Sequence, residues 1–343
     1  MPNSKMVFQI ASVYTAVVVG AGFATGRELA SFFLRFGDNA LGGLMLSGTI
    51  MTLVGWATLD ISFRNNVASF DSLLNYIAGP YLGAFMKIGC MAMLFTFFVA
   101  MLSATGALGA QLLGVPTIVG SSVMVLMCFV ALMHNLDGLL RINTYLAPIL
   151  IVGSVLIGLY TYTAVTPVFA PSIREILLPN SWESAAVLYA SYNMVGVVGM
   201  LSSMGSGVKR QSTAVLGVLL GAGAVTIIAL SMSLGLWRGY ASVQSHPVPF
   251  LALLQGEALV LVVYVVVLLI AIYTTALSNA YCFHAQLVGK GTTASKVIVC
   301  ALALLFSQIG FTTIVEIVYP AFGLLGMFLG ILLLFTLIFK RRS

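Results

Sequence analysis

The sequence predicts an all-α integral membrane protein with ten transmembrane helices, arranged as two inverted halves of five helices each. Hydrophobic residues make up 60% of the 343 residues, charged residues make up only 7%, and the mean hydropathy is +1.10. The apolar runs are about 20 residues long, the length of a helix that crosses a bilayer, and they lack the period-two alternation of barrel strands. Interruptions rich in glycine and polar residues fall within the first and sixth runs.

The ten apolar segments divide into two sets of five. The predicted spans are 7–36, 39–63, 81–113, 117–134, 139–163, 183–205, 212–236, 256–284, 292–310 and 312–339. Residues 1–163 therefore hold the first five-helix repeat and residues 183–339 the second, within a single membrane domain. Because five is an odd number, the second repeat is expected to lie inverted relative to the first.

The basic residues predict which side of the membrane each loop faces. With the N-terminus inside, eleven of the fifteen Lys and Arg residues fall on the cytoplasmic side, namely Lys5, Arg64, Lys87, Arg141, Lys209, Arg210, Lys290, Lys296, Lys340, Arg341 and Arg342. The external half holds the other four: Arg27, Arg35, Arg174 and Arg238. Since cytoplasmic loops are enriched in Lys and Arg, both termini are expected in the cytoplasm and the protein in the cell membrane.

The first span contains an interruption from Gly20 to Glu28, with the sequence GAGFATGRE. Each glycine costs a helix roughly 1 kcal/mol relative to alanine, and a charge at this depth costs at least about 2.5 kcal/mol. This pattern favours a helix that unwinds within the membrane, which is tolerated only where it lines a protected cavity. The alternative is that Gly22 and Gly26 form a GxxxG motif for close helix packing.

A second interruption is predicted in the sixth span, which is the first span of the second half. The segment 191–199, SYNMVGVVG, is again rich in glycine and polar residues, and Ser202, Ser203 and Gly205 follow it. Interrupted helices at matching positions of two inverted halves indicate the binding site of a transporter. Packing of small residues against neighbouring helices is the competing explanation.

The pattern resembles a known family. Five plus five spans with breaks in the first and sixth are similar to the LeuT fold of the amino acid–polyamine–organocation superfamily. The string from Gly20 to Glu28, followed by Phe32, Phe33, Phe36 and Gly37, resembles the YkvI-type permeases more narrowly. The resemblance covers nearly the whole chain. It implies a secondary transporter that works by alternating access and holds its substrate between the first, third, sixth and eighth spans.

The resemblance also implies positions for substrate and ion. Expected substrate contacts lie at the two breaks and on the third and eighth spans, namely Ala21, Gly22, Phe23, Ala24, Thr25, Gly26, Thr96, Ser191, Tyr192, Asn193 and Asn279. Sodium-coupled members of the fold hold an ion between first-span carbonyls and an alanine with adjacent hydroxyls on the eighth span. The matching positions here are Gly20, Phe23, Ala271, Thr274 and Thr275. These threonines could instead bond to their own helix.

Three ionisable residues are candidates for gating or proton coupling. Glu28 could carry a proton, pair with an amine, or be neutralised by Arg27 or another arginine on the external side, and ionisable residues inside a membrane are usually functional. Glu316, near the start of the tenth span, is the other acid. An external gate in this fold often joins a first-span arginine to a tenth-span acid, so Arg27 or Arg35 is expected to pair with Glu316.

The expected function is secondary active transport of a small zwitterionic or amine-type solute, with an amino acid as the first candidate and sodium as the coupling ion. Proton coupling through Glu28 is one alternative, and a non-concentrating channel or sensor on the same fold is another. No catalytic arrangement of His, Ser or carboxylates can be recognised, so an enzyme is not expected. The four cysteines lie inside apolar runs and are expected to be buried hydrophobes. The expected partners are the small-molecule substrate and the lipid bilayer, without a cofactor or nucleic acid.

Overall fold

A computed structural model describes residues 2–134, 136–166, 180–243, 246, 248–287 and 293–339. Within these ranges every regular element is helical. The helices are α1 (Ser4–Val18), α2 (Ala21–Ala24), α3 (Arg27–Phe32), α4 (Ala40–Arg64), α5 (Phe70–Leu113), α6 (Thr117–Leu132), α7 (Leu136–Ala164), α8 (Trp182–Met204), α9 (Gln211–Val243), α10 (Pro249–Leu253), α11 (Ala258–Leu287), α12 (Thr293–Phe306), α13 (Phe311–Thr313) and α14 (Tyr319–Phe339).

Each predicted span coincides with a helix or a group of helices. Seven helical segments are long and apolar enough to cross a membrane: Leu34–Arg64, Phe70–Leu113, Leu136–Ala164, Trp182–Gly207, Gln211–Val243, Ala258–Leu287 and Tyr319–Phe339. Three shorter apolar helical segments, Ser4–Val18, Thr117–Leu132 and Thr293–Ile309, fall where the first, fourth and ninth spans are predicted. The structure is thus that of a helical membrane protein, and the count of ten crossings stays a prediction.

Several of these helices depart from regular geometry. Gly79 in α5 has φ 76° and ψ 174° and is followed by Pro80, so the segment 70–78 forms a separate arm before the main helix. The last span begins with the short helix α13 and a π-helical turn, Ile314–Val318, before α14. Proline and π-turns are common causes of such kinks.

The first span lies at the centre of the bundle. Helix α1 packs against α7, α8, α9 and α11, while α2 contacts α5 and α11. Ile10, Val13 and Tyr14 on α1 are fully buried, and the Tyr14 hydroxyl donates to the Met51 carbonyl of α4 at 2.7 Å. From Ser12 to Val18 every residue of α1 is buried, so this half of the helix is positioned by its neighbours, and the interruption that follows it is surrounded by protein rather than lipid.

Candidate functional site at the broken first helix

The predicted interruption of the first helix is confirmed. Helix α1 ends at Val18, and Gly20 is extended, with φ −96° and ψ −164°. The Gly20 N–H donates to the Val18 carbonyl at 2.9 Å instead of to the residue one helical turn earlier. Gly26 then separates α2 from α3 with φ 81°, a conformation that glycine adopts readily. The chain is therefore helical on both sides of a segment whose backbone groups are partly released from helical bonding.

Gly22 allows the Glu28 side chain to fold back against α2. A Cβ atom on Gly22 would overlap the Glu28 carboxylate. Gly22, the first glycine of the GxxxG motif, thus allows another group to approach the backbone closely, as the packing interpretation expected. The group that approaches Gly22 is the Glu28 carboxylate of the same span, not a neighbouring helix.

A small cavity lined by buried residues lies beside the break. Its volume is about 20 Å³, enough for about one water molecule. It is lined by residues of the first, third, sixth, eighth and tenth predicted spans: Val17, Val18, Gly20, Glu28, Phe97, Met101, Tyr192, Asn193, Gly196, Thr275 and Tyr319. A whole amino acid would need these walls to separate, so the structure has the geometry of a closed site.

Glu28 is the charged residue of this lining. Its side chain is 4% exposed, and its Oε2 atom has no hydrogen-bond partner. The hydroxyls of Tyr189 and Tyr192 lie near enough to interact with the carboxyl, as does Tyr319. The Tyr189 and Tyr192 hydroxyls are themselves buried and do not meet the distance and angle of a hydrogen bond. Because a buried charge without full pairing is unfavourable, this carboxyl marks the cavity as a candidate functional site.

The predicted ion ligands are brought together only in part. The Thr275 hydroxyl donates to the Ala16 carbonyl at 2.7 Å, and a Cβ atom on Gly20 would lie 3.2 Å from Thr275 Oγ1. Thr274 donates to the Ile270 carbonyl of its own helix at 2.9 Å, as the alternative explanation expected, and its hydroxyl also lies 3.5 Å from the Ala16 carbonyl. Gly20 and Thr275 therefore lie next to each other at the cavity. The Ala16 carbonyl, one helical turn before Gly20, also contacts Thr275.

The remaining predicted ion ligands are Ala271 and the backbone carbonyls of Gly20 and Phe23. Ala271 is fully buried one turn before Thr275. The carbonyls of Gly20 and Phe23 accept backbone hydrogen bonds from Ala24 at 2.8 Å and Gly26 at 3.0 Å. In the described part of the chain, no group of three His, Cys, Asp or Glu residues forms a possible metal centre.

The prediction that the sixth span is broken at 191–199 is wrong. Helix α8 runs without interruption from Trp182 to Met204, and only the 3-10 turn Gly205–Gly207 follows it. Its glycines serve helix packing: a Cβ atom on Gly196 would lie 2.9 Å from Val17 Cγ1, and one on Gly199 would lie 3.3 Å from the Cys282 sulfur. Small residues let α1 and α11 approach α8 closely.

The polar residues of α8 bond within their own helix, which explains how they are accommodated without a break. Ser191 Oγ donates to the Val187 carbonyl at 2.6 Å, and Asn193 Nδ2 donates to the Tyr189 carbonyl at 3.0 Å. Tyr192 and Asn193 nevertheless line the cavity, and their contact with a substrate stays a prediction.

On the third and eighth spans the predicted contacts shift. Thr96 bonds to the Ala92 carbonyl at 2.9 Å, and its neighbour Phe97 lines the cavity in its place, because adjacent residues on a helix point in different directions. Asn279 Nδ2 donates to the Thr275 carbonyl at 2.9 Å, and its Oδ1 is buried without a partner. Asn279 lies just behind the wall, since a Cβ atom on Gly196 would be 3.1 Å from Oδ1.

The predicted gate falls partly outside the described residues. Arg27 is 8% exposed at the start of α3, and the Arg35 guanidinium lies 4.5 Å from the centre of the Phe36 ring. The Glu316 side chain lies outside the described residues, so its pairing with Arg27 or Arg35 stays a prediction.

Six residues of the lining are missing from the predicted site residues: Val17, Val18, Phe97, Met101, Gly196 and Tyr319. Phe97, Met101 and Tyr319 line the cavity, and the Ala21 N–H at the start of α2 lies 3.3 Å from the Met101 sulfur. Aromatic residues cluster at 95–98 in the sequence, but their density there is also typical of packing. Tyr319 follows a π-helical turn, and no feature of the sequence predicts that turn.

Comparison with known proteins gives one membrane-protein relative and several structures of similar fold. No family model matches the chain. It is 28% identical over 334 residues to the uncharacterised membrane protein YkvI of Bacillus subtilis (strain 168), covering 95% of this chain and 94% of the relative. Its structure is similar to a Na+-coupled sialic acid symporter in a substrate-bound outward-open state, with a TM-score of 0.69 and 13% identity over 98% of this chain and 79% of the symporter.

A second solved structure matches over nearly the full length of both proteins. MhsT in complex with L-phenylalanine has a TM-score of 0.67 and 15% identity, over 99% of this chain and 96% of MhsT. At 13% and 15% identity, these two likenesses show a shared fold. The predicted resemblance to YkvI is confirmed, and the chain shares the LeuT fold with its structural neighbours.

Proposed function

We propose that the chain is a secondary active transporter that moves a small solute carrying an amino group by alternating access. The observation that carries the proposal is the closed cavity at the interrupted first helix, with the buried Glu28 carboxyl in its wall. Broken helices lining a cavity near the middle of the membrane are typical of transporter sites. The similarity in fold to a Na+-coupled symporter and to a protein that binds L-phenylalanine supports the same class.

The coupling ion in this proposal is sodium, held where Thr275 meets the first helix. The Thr275 hydroxyl and the carbonyls of Ala16 and Gly20 are neutral oxygen groups of the kind that coordinate sodium at unwound helices. Sodium would replace the hydrogen bond from Thr275 to Ala16 and so draw α11 and the break together. Proton coupling through Glu28 is the competing mechanism.

We propose that the protein is oriented in the membrane with its Lys- and Arg-rich loops in the cytoplasm. Both termini lie in the cytoplasm, and ten crossings form the two inverted halves 1–163 and 183–339. Rocking of one helix group against the other would then expose the cavity to each side of the cell membrane in turn.

Accumulation in proteoliposomes tests this function. The purified chain is reconstituted, an inward sodium gradient is imposed, and uptake of a panel of radiolabelled amino acids and amines is followed. A transporter concentrates one of these solutes above its external level, and the accumulated label leaves when an ionophore collapses the sodium gradient. Equilibration without accumulation would indicate a channel, and accumulation driven by a pH gradient alone would replace sodium with protons.

A further inference from the structure

The wall of the cavity is built from groups that stabilise positive charge. Glu28 provides a carboxylate with an unpartnered oxygen. Asn193, which also lines the cavity, bonds through its amide nitrogen to the Tyr189 carbonyl, and its amide oxygen is a hydrogen-bond acceptor. Among the described lining residues, Glu28 is the one with a charged side chain. The electrostatic character of this small site is therefore negative.

Three aromatic rings enclose the same space. The Phe97 and Tyr319 rings meet edge to face at 4.8 Å between centroids, Tyr192 and Tyr319 are 5.2 Å apart, and Phe97 and Tyr192 are 6.1 Å apart. All three side chains are buried and line the cavity with Glu28. Aromatic faces attract cations, and the attraction is strongest where water is excluded. We call Phe97, Tyr192 and Tyr319 the aromatic triangle.

From this juxtaposition we infer that Glu28 and the aromatic triangle bind the ammonium group of the solute, and that the site selects monocationic amines over amino acids. The inference rests on the proposed function and specifies its substrate class. The ammonium group donates to the free oxygen of Glu28 and lies against the rings of the triangle. It fits the small closed cavity as a head group, while the rest of the solute occupies space that opens when the walls separate.

Discrimination against amino acids follows from the charge of Glu28. In an α-amino acid the carboxylate is attached two bonds from the ammonium nitrogen, so an ammonium group held by Glu28 places a second carboxylate beside the first. Like charges repel strongly in a site of low dielectric constant. An amine with the same side chain and no carboxylate avoids this repulsion.

Matched pairs of ligands test the inference directly. Melting curves and isothermal titration of the purified full-length chain are recorded in sodium chloride with isopentylamine against leucine and with phenethylamine against phenylalanine. Each pair differs only by the carboxylate. We expect at least one amine to raise the melting temperature and to bind about tenfold or more tightly than its amino acid. If the amino acids bind more tightly, or if no amine of the panel binds, the inference is overturned.

Variants assign the effect to the proposed residues. Glu28→Gln is expected to weaken amine binding about 100-fold, because a buried charge-assisted contact is lost, whereas Glu28→Asp retains measurable binding. Phe97→Leu should weaken it about 3- to 10-fold. Glu183→Gln makes the same chemical change at an exposed position in the first turn of α8 and serves as the matched control. Equal amine affinity in Glu28→Gln and the wild type would overturn the assignment.

The binding experiments can fail or succeed independently of the transport experiment that tests the proposed function. Amine binding without accumulation in proteoliposomes contradicts the transporter and leaves the amine site intact. Sodium-driven accumulation of an amino acid, with no binding of amines, supports the transporter and overturns the inference. A wild-type stability shift that tracks pH and disappears in Glu28→Gln, with no response to amines, would also overturn it and assign Glu28 to protons.

Discussion

At the scale of single residues, the interruption in the first helix is explained by what each side chain contacts. Gly22 leaves room for the Glu28 carboxylate, the Ala21 N–H donates to the Met101 sulfur, and the Thr275 hydroxyl donates to the Ala16 carbonyl. Each of these contacts replaces a hydrogen bond or a packing contact that an unbroken helix would make for itself. The break is therefore stabilised by residues far away in the sequence as well as by its own glycines.

Thr275 provides the residue-scale test of sodium binding. Thr275→Val keeps the shape of the side chain and removes the oxygen, so the stabilisation by sodium over choline should be lost in melting curves at matched ionic strength. At a hundred times its dissociation constant a ligand stabilises the native state by about 2.7 kcal/mol, which is readily measured.

The control for Thr275→Val is Thr49→Val. The Thr49 hydroxyl bonds to the Met45 carbonyl of its own helix at 2.8 Å on an exposed face of α4, so this variant should retain the full sodium effect. A sodium shift that persists in Thr275→Val would locate the ion elsewhere.

The sequence alone identifies the residues that are energetically unfavourable in an apolar membrane span. Glycines and a carboxylate in an apolar span, as at Gly20, Gly26 and Glu28, have few structural uses, so their presence indicates the site. Phe97 and Tyr319 could not be selected in the same way, because aromatic residues are common throughout membrane helices. Their role depends on a tertiary arrangement that periodicity does not reveal.

At the scale of elements, the first and sixth predicted spans contain similar residues and yet differ in structure. Glycine lowers the stability of a helix wherever it occurs, but it breaks the helix only where surrounding groups accept the released backbone. In α8 the partners of Gly196 and Gly199 are side chains of α1 and α11 at close range, which favours an intact helix. Composition alone does not distinguish these two uses of glycine, and for this reason the predicted break in α8 is wrong.

Gly26 provides the test at this scale. It has φ 81°, and a Cβ atom there would lie 2.8 Å from the Phe250 ring. Gly26→Ala should therefore lower the melting temperature through both backbone strain, about 1–2 kcal/mol, and a clash with α10. Gly114→Ala is the matched comparison, since Gly114 has φ 65° and open space around it. If the two variants lost equal stability, contact with α10 would have no part in shaping the break.

At the scale of the whole molecule, the account depends on how the bundle lies in the membrane. With both termini in the cytoplasm, the turn after α5 faces outside and the turn after α8 faces inside. Leu113→Cys and Ser206→Cys place single thiols at these exposed positions, in a background whose four buried native cysteines are replaced by alanine. A membrane-impermeant maleimide added to intact cells should label Leu113→Cys and should label Ser206→Cys only after permeabilisation. The reverse pattern would invert the proposed orientation.

Alternating access to the cavity is the central claim, and labelling of Val18→Cys tests it most directly. Val18 is 3% exposed and lines the cavity at the end of α1. In the same cysteine-free background, oriented proteoliposomes are treated with an impermeant thiol reagent on one side or the other, in sodium or in choline. The account predicts labelling from both sides, with the two rates changing in opposite directions when sodium replaces choline. Access from one side only, or rates that rise and fall together, would contradict alternating access at the broken first helix.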